Sequence, residues 1–152
     1  AMSKIDIEGR NSQKLQDKWS DGPSNYLGSM VAGFPNLFMI TGPQAPFANL
    51  PTTIEENIKW ISSCIKHMEG NKYTSANVRV EAEQHWSQHA TEVIDLTVMK
   101  YGHEANTWFL GSNIPGKGPS TLVYFGGADN YFGLLQESMD KKFPEIDFTT
   151  AI

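Results

Sequence analysis

The 152-residue sequence has little of what several protein classes require. It contains one cysteine, Cys64, which excludes an internal disulfide framework and is typical of a reducing, cytoplasmic setting. It has no run of 18 or more apolar residues, so we expect no membrane span. Twelve Lys and Arg stand against seventeen Asp and Glu, for a net charge of −5. This charge, without a basic stripe, argues against a nucleic-acid partner.

Motifs for catalysis and for nucleotide phosphates are also missing. No G-x-G-x-x-G fingerprint is present, and the adjacent Gly126 and Gly127 do not follow a convincing strand into a capped helix. His85 and His89 have a zinc-compatible i, i+4 spacing but lack a third ligand. No Ser-His-Asp, Cys-His or paired-carboxylate arrangement is recognisable. We therefore expect no metal site, no catalytic residue and no complete dinucleotide site within this chain.

The stretch from Gly33 to Pro51 is the most informative part of the chain. The short apolar run Asn36–Ile40 predicts a buried strand in the middle of a sheet. Gly and Pro residues then forbid regular structure until Thr52 and Glu55, which are spaced as a helix-starting capping box. Loops that follow central strands commonly bind ligands in α/β proteins. We therefore predict that this loop binds a ligand.

Periodicity predicts the remaining elements, and the composition, 39% apolar and 19% charged, is that of a globular chain. The main helix should begin at Thr53, bury Ile54, Ile58, Ile61, Ile65 and Met68 together with Trp60 and an inert Cys64, and stop at Gly70 and Asn71. The other expected elements are a strand at 4–8, a helix at 12–19 with a turn at 21–23, a helix from Val80 to Met99 with Trp86 inward and Glu83 outward, an extended piece ending the 101–110 connection, a strand at 122–125, a helix at 128–140 with Tyr131, Leu134, Leu135 and Met139 inward, and an edge strand within 143–149.

Several of these residues carry a family resemblance. They are Gly33-Phe34-Pro35-Asn36, Gly42-Pro43, Pro46, Asn49 and the helix residues Ile54, Glu55 and Trp60, with an upstream segment (residues 5–10, Lys18-Trp19, Gly22-Pro23, Tyr26-Leu27-Gly28) and a downstream segment, residues 106–117. In this order they resemble the C-terminal part of flavin-dependent Baeyer–Villiger monooxygenases of the cyclohexanone and phenylacetone type. The likeness extends over nearly the whole chain.

The resemblance implies a fold and a domain assignment. The fold would be α/β, or α+β as an isolated piece. It would form the C-terminal portion of a flavoprotein with two dinucleotide domains, without either Gly-rich βαβ unit. The sequence itself indicates a cloning remnant at residues 1–2. By the resemblance, 3–32 would be the return connection from the nicotinamide domain, and 33–152 part of the FAD-binding domain with a mobile loop at 111–119. The missing N-terminal flavin and nicotinamide portions would be its partners.

The resemblance also implies an activity, although the chain alone would be inactive. The parent enzyme uses FAD, NADPH and oxygen to insert an oxygen atom beside a ketone carbonyl, giving an ester or lactone. Cofactor contacts would come from Gly42, Pro43, Pro46, Asn49, Leu50, Trp108 and Asn113, with Trp19 and residues 26–28 near the cofactors. The ketone pocket would be lined by Phe47, Ala48, Leu50 and Val123.

Several alternatives remain open from the sequence, among them a family relative that binds FAD without oxygenating. The chain could be a stand-alone, non-enzymatic binding or assembly module derived from the flavoprotein scaffold. From composition alone, Trp19 could be a hydrophobic anchor for its short helix, and residues 111–119 a plain surface loop. The resemblance favours a cofactor contact and a flap over the nicotinamide cofactor instead.

Overall fold

The structure is a computed structural model that describes residues 4–102, 104–105, 107–111 and 120–150. Within these ranges the helices are α1 (Leu15–Lys18), α2 (Leu50–Asn71), α3 (Val80–Asp95) and α4 (Ala128–Asp140), and the strands are β1 (Ser75–Val78) and β2 (Ile146–Thr149). Short 3₁₀ turns occur at Arg10–Ser12, Val98–Tyr101 and Trp108–Leu110. None of the described helices is long and apolar enough to cross a membrane.

Helix α2 begins earlier than the sequence predicted. Asn49, not Thr52, is the N-cap, and its side chain accepts a hydrogen bond from the Thr52 main-chain N–H at 3.3 Å. Pro51 occupies the first turn, where its missing N–H is no loss. The helix ends at Asn71 because Lys72 adopts the left-handed conformation, with φ at 59°. The predicted capping box at Thr52 and Glu55 was therefore wrong.

The buried face of α2 also differs from the predicted isoleucine stripe. Thr53, Asn57, Trp60 and Cys64 are buried, whereas Ile58 and Ile65 are exposed. Helical periodicity allows two neighbouring apolar stripes, and the larger Trp60 turns its own stripe inward. The predicted burial of Trp60 and Cys64 is confirmed. Ile61 is partly buried and packs against the same core.

The predicted central strand at 36–40 does not form among the described residues. Positive φ values at Asn36 (60°) and Thr41 (49°) bend the main chain at both ends of the run. The Asn36 N–H bonds to Ala76 O at 2.9 Å and the Met39 N–H to Ser29 O at 2.8 Å, so no regular ladder develops. Met39 is buried, but Ile40 is exposed.

The sheet of the described residues pairs β1 with β2. The strands are antiparallel, with Ala76 opposite Phe148 and Val78 opposite Ile146. The predicted edge strand near the C-terminus is confirmed by β2, but β1 was not predicted. Four residues with two polar side chains, Ser75 and Asn77, give a weak periodic signal.

The main core lies between α2, α3, α4 and the small sheet. Trp60, Trp86, Tyr131, Leu135 and Val78 are among its buried residues. Helix α4 has the predicted bounds, and its predicted inward residues either are buried or pack against the core. A second cluster, formed by Leu15, Val31, Phe34 and Met39, holds the N-terminal segment.

Four further expectations required correction. Residues 4–8 contribute only a single bridge, from Glu8 to Lys14, and the helix predicted at 12–19 is reduced to α1. Helix α3 ends at Asp95 instead of Met99, where a 3₁₀ turn takes over after Thr97. The Thr97 hydroxyl accepts from the Met99 N–H at 3.1 Å, which starts that turn. Trp108–Leu110 is likewise a 3₁₀ turn rather than an extended piece.

Candidate functional site

The predicted ligand loop lies beside the 122–125 segment. The Gln44 N–H donates to Leu122 O at 2.8 Å, the Tyr124 N–H to Ala45 O at 3.0 Å, and the Phe47 N–H to Tyr124 O at 3.4 Å. Pro46 and Tyr124 form a parallel bridge. The strand predicted at 122–125 is thus reduced to this short pairing within the described residues.

Hydrogen bonds to the 25–28 segment hold the start of this loop in place. The Asn25 amide donates to Pro43 O at 2.9 Å, and the Gly42 N–H donates to Gly28 O at 3.0 Å. A Cβ at position 42 would lie 2.5 Å from that Gly28 oxygen, so the close approach requires glycine. Gly42 and Pro43 therefore hold the loop's shape in this chain.

The start of the loop is joined to the core by a chain of hydrogen bonds. The Thr41 N–H donates to Asn57 Oδ1 at 2.9 Å, the Asn57 amide to the Tyr131 hydroxyl at 2.8 Å, and Tyr131 to Leu27 O at 2.7 Å. Burial raises the pKa of Tyr131 to about 12, so the hydroxyl stays protonated and keeps donating. Sequence reasoning missed Asn25 and Asn57, since polar residues in a helix or turn give no signal of burial.

Four aromatic side chains, Phe47, Trp108, Phe109 and Phe125, form what we call the aromatic edge. The Phe47 and Phe125 rings each meet Phe109 edge-on, with centroids 5.2 and 5.6 Å away, and the Trp108 ring lies 4.1 Å from Phe109. Phe47 is 69% exposed, Trp108 54% and the neighbouring Leu50 57%. A cluster of large apolar groups this exposed marks a binding surface or an interface.

Two of the predicted site residues, Phe47 and Trp108, belong to this edge, and several others lie on the adjoining loop or on the segment paired with it. Phe47, Ala48 and Leu50 lie on the loop or at its end, Val123 precedes the Tyr124 bridge, and Trp108 reaches the loop through Phe109. Asn113 lies outside the described residues, as does most of the predicted 111–119 loop. Asn49 caps α2, a structural role that the sequence did not predict.

The aromatic edge adjoins the N-terminal end of α2. Among the described residues, the main-chain N–H groups of 48, 49 and 50 have no hydrogen-bond acceptor. Unpaired N–H groups at the start of a 22-residue helix favour an electronegative or anionic partner. The site thus combines an exposed apolar surface with donors, and no cluster of three or more metal-ligating side chains occurs in the described part of the chain.

Glu83 is a second buried polar feature that sequence reasoning missed. It was placed on the exposed face of α3 but is only 4% exposed. Its carboxylate accepts from the Ser24 hydroxyl at 2.6 Å and the Ala32 N–H at 2.5 Å, and pairs with Lys18 at 2.9 Å. It therefore joins α3 to the segment that precedes the loop. Trp19, half-buried beside this segment, donates its indole N–H to Ser24 O at 2.8 Å.

Comparison with known proteins identifies relatives of this chain. No family model matches the chain. A Baeyer–Villiger monooxygenase of Pseudooceanicola batsensis is 41% identical over 143 residues, which are 94% of this chain and 26% of the relative. A cyclohexanone 1,2-monooxygenase of an Acinetobacter species is 38% identical over 128 residues, 84% of this chain and 23% of the relative.

Solved structures agree with the sequence relatives. The crystal structure of cyclohexanone monooxygenase from Rhodococcus sp. Phi1 with NADP+ superposes with a TM-score of 0.91 at 36% identity, covering 99% of this chain and 28% of that one. The chain matches the C-terminal part of the Baeyer–Villiger monooxygenases. A second structure, OTEMO in complex with FAD and NADP, matches the chain with a TM-score of 0.86 at 27% identity, over 97% of this chain and 26% of that one.

These comparisons confirm the predicted family and fold class. The chain spans about a quarter of the length of the Baeyer–Villiger relatives that it matches. Its mixture of helix and strand is that of the C-terminal part of a flavoprotein that binds FAD and NADP. The individual residue roles and the domain boundaries stay predictions.

Proposed function

We propose that this chain is the C-terminal part of an FAD- and NADPH-dependent monooxygenase that inserts oxygen beside a ketone carbonyl to give an ester or lactone. One observation supports this most strongly. The chain matches about a quarter of the length of such enzymes, and its exposed aromatic edge lies at the loop that carries residues of the family resemblance. In this proposal the remainder of the enzyme completes the site, and the protein works in the cytoplasm.

The residues at the edge fit the ring portion of a flavin. Phe47 and Leu50 offer apolar surface, and the N–H groups of 48–50 would donate to electronegative ring atoms at the start of α2. FAD and NADPH, when bound, would supply the redox chemistry. The chain would contribute orientation and exclusion of water, with Gly42, Pro43, Pro46 and Asn49 holding the loop against the cofactor.

The chain does not fit the phosphate portion of either cofactor. A pyrophosphate site needs a glycine-rich turn at a helix N-terminus, and the sequence has no G-x-G-x-x-G. We therefore propose that the rest of the enzyme holds the phosphates. The chain supplies one wall of the ketone pocket, from Phe47, Ala48, Leu50 and Val123. Trp108 and Asn113 cover the nicotinamide.

The test uses the full-length protein encoded by the source gene. The gene should encode two G-x-G-x-x-G motifs upstream of this chain, and the purified protein should form a lactone from cyclohexanone with NADPH and oxygen. If the reading frame lacks these motifs, the alternative of a non-enzymatic binding or assembly module is supported. If the motifs are present but neither NADPH nor ketone is consumed, the proposed activity is wrong.

Within that protein, Trp108→Ala tests the nicotinamide contact. We expect weaker NADPH binding and a larger share of NADPH oxidised without ester formation, with unchanged FAD content. Tyr101→Ala is the matched control, because Tyr101 is as exposed as Trp108 but lies outside the aromatic edge. Loss of FAD in the Trp108 variant would assign Trp108 to the core. Unchanged NADPH affinity and coupling would remove it from the site.

A further inference from the structure

The predicted ligand loop begins in an uncommon main-chain conformation. Thr41 has φ at 49° and Gln44 has φ at 62°, so both lie in the left-handed region. A β-branched residue such as Thr41 rarely adopts this region, because its side chain crowds its own main chain. Such conformations persist only where neighbouring groups hold them, and they are concentrated at active sites and ligand sites. The groups that hold Thr41 are therefore candidates for a role in the site.

Asn57 holds the Thr41 main chain from the core. Asn57 is fully buried on α2, and its Oδ1 accepts from the Thr41 N–H at 2.9 Å. Its amide nitrogen donates to the Tyr131 hydroxyl at 2.8 Å, and that hydroxyl donates to Leu27 O at 2.7 Å. The Ser29 hydroxyl, also beside Tyr131, donates to the same Leu27 oxygen at 3.1 Å. We call the chain of bonds from Thr41 to Leu27 the relay.

The relay has one direction, because both of its ends have fixed roles. The Thr41 N–H can only donate, and the Leu27 carbonyl oxygen can only accept. Asn57 must therefore turn its oxygen to Thr41 and its amide nitrogen to Tyr131. Without the Tyr131 oxygen, that buried amide nitrogen would lose its acceptor, at the full cost of its desolvation. Tyr131 thus sets the orientation in which Asn57 meets the loop.

The relay ends beside two residues that the proposed function assigns to the cofactor. Gly42 and Pro43 directly follow Thr41 in the loop. The Gly42 N–H bonds to Gly28 O at 3.0 Å, and Pro43 O accepts from the Asn25 amide at 2.9 Å. The direction in which the main chain leaves Thr41 decides whether both bonds can form. The relay therefore controls where Gly42 and Pro43 lie.

We propose that Asn57 is a positioning residue for the monooxygenase site and that Tyr131 orients it. Through Thr41, this pair fixes Gly42 and Pro43 in the place where they meet the flavin ring. Both side chains are fully buried, so they act through the loop and touch neither cofactor nor ketone. The role in the reaction rests on the proposed function, whereas the relay itself can be tested without it.

Amide hydrogen exchange of the chain tests the relay. The Thr41 N–H should exchange slowly in the wild type, because its acceptor is buried in the core. Asn57→Leu removes that acceptor, and Tyr131→Phe removes only the hydroxyl that orients it. Each variant should speed exchange at Thr41 about tenfold or more, as expected for loss of one buried hydrogen bond.

Two controls separate the relay from general loosening of the fold. The Ala76 N–H, which bonds to Asn36 Oδ1 at 2.9 Å, lies outside the relay and should keep its exchange rate. Tyr73→Phe makes the same change as Tyr131→Phe at a half-buried ring outside the relay and should leave Thr41 unchanged. Wild-type exchange at Thr41 in the Tyr131 variant, or equal acceleration at Thr41 and Ala76, would overturn the relay.

Asn57→Asp distinguishes the acceptor from the side-chain volume. Its carboxylate can still accept from the Thr41 N–H and can also accept the Tyr131 proton, while Leu27 O keeps the Ser29 hydroxyl as donor. We therefore expect slower exchange at Thr41 in Asn57→Asp than in Asn57→Leu. Equal exchange in the two variants would show that no acceptor at this position holds Thr41, which contradicts the proposal.

The full-length protein tests the role in the reaction. A ketone with two different sides, such as 3-methylcyclohexanone, can give two lactones, and their ratio reports how the ketone lies against the flavin. At equal FAD content and below all thermal midpoints, Asn57→Leu and Tyr131→Phe should change this ratio about threefold, since small displacements alter reaction geometry. Tyr73→Phe should not change it.

A merely structural role predicts a different result. Residues that only stabilise the fold would lower the thermal midpoint and leave the lactone ratio of the folded enzyme unchanged, and this result would overturn the positioning role. If the wild-type protein forms no lactone, the proposed function is wrong instead. Hydrogen exchange at Thr41 then still decides whether the relay holds the loop.

Discussion

Aromatic side chains are buried in the core but exposed at the aromatic edge. In the core, Trp60 and Tyr131 are fully buried, and the Trp60 ring meets Phe143 edge-on at 5.5 Å. At the edge, Phe47 and Trp108 are mostly exposed although they are as apolar. The chain therefore buries the aromatic residues of its core and leaves those of the aromatic edge exposed. This difference is expected of a domain that forms one side of a binding site, the other side being supplied by the rest of the protein.

Helix α2 has both buried and exposed apolar residues, and substitutions in it should give the largest difference in stability. Trp60→Ala should lower the free energy of unfolding by about 3–5 kcal/mol, because it empties a packed position. Ile58→Ala, on the exposed side of the same helix, should change it by no more than about 0.5 kcal/mol. Urea unfolding of the two variants measures both. Equal losses would mean that α2 has no preferred buried face.

The thiol of Cys64 tests the core by chemistry. Burial raises its pKa from 9.0 to about 12, so near pH 8 the thiolate fraction should be about 1,000-fold lower than in an unfolded chain. A thiol reagent such as DTNB should therefore label native protein slowly and unfolded protein at once. Rapid native labelling would show that the core opens.

The same shift predicts how stability depends on pH. The folded state holds the Cys64 proton more tightly than the unfolded state, so its contribution is complete below about pH 9. The contribution is lost as the pH rises towards 12. Tyr131, with a pKa raised from 10.0 to about 12, acts in the same direction. The urea midpoint should fall across this range, and Cys64→Ala should reduce the fall.

Glu83 tests how the segment before the loop is held. Glu83→Ala should cost about 3 kcal/mol, because Ser24 and the Ala32 N–H lose their acceptor and Lys18 loses its ion-pair partner. Glu81→Ala, two residues away on the exposed side of α3, is the control and should have little effect. If both variants unfold at the same urea concentration, the Glu83 network does not stabilise the fold.

The smallest expected effect is at the junction between loop and helix. Asn49→Ala should cost about 1 kcal/mol through loss of the α2 cap, whereas Asn49→Ser should retain most of the stability. The thermal midpoint reports both. An Asn49→Ala protein as stable as wild type would leave Asn49 with a cofactor role only.

The sequence predicted helices better than it predicted pairing. The bounds of α4 and the burial of Trp60 follow from 3.6-residue periodicity, which is a local property. Residues 36–40 failed as a strand because their apolar pattern specifies burial but not a partner. The bends at Asn36 and Thr41 prevent these residues from pairing with another strand within the described part of the chain. Strand β1 was missed for the converse reason: its partner β2 lies about 70 residues away.

The candidate site was predicted in part. The resemblance located the 42–50 loop, Val123 and Trp108, which the structure places at the aromatic edge, on the adjoining loop or on the segment paired with it. The polar supports were missed because Asn57 and Glu83 are polar, although they share helix stripes with the buried Trp60 and Trp86. Their burial depends on acceptors and donors supplied by distant segments, including Thr41 and Ala32.

A flavin titration of the purified chain, combined with urea unfolding of the same sample, tests the central claim most directly. We expect one cooperative unfolding transition and no stoichiometric FAD, because the chain buries its aromatic core while the pyrophosphate-binding turns are absent. A chain that retains one FAD per polypeptide would contradict the one-walled site. A chain without a cooperative transition would contradict the buried core.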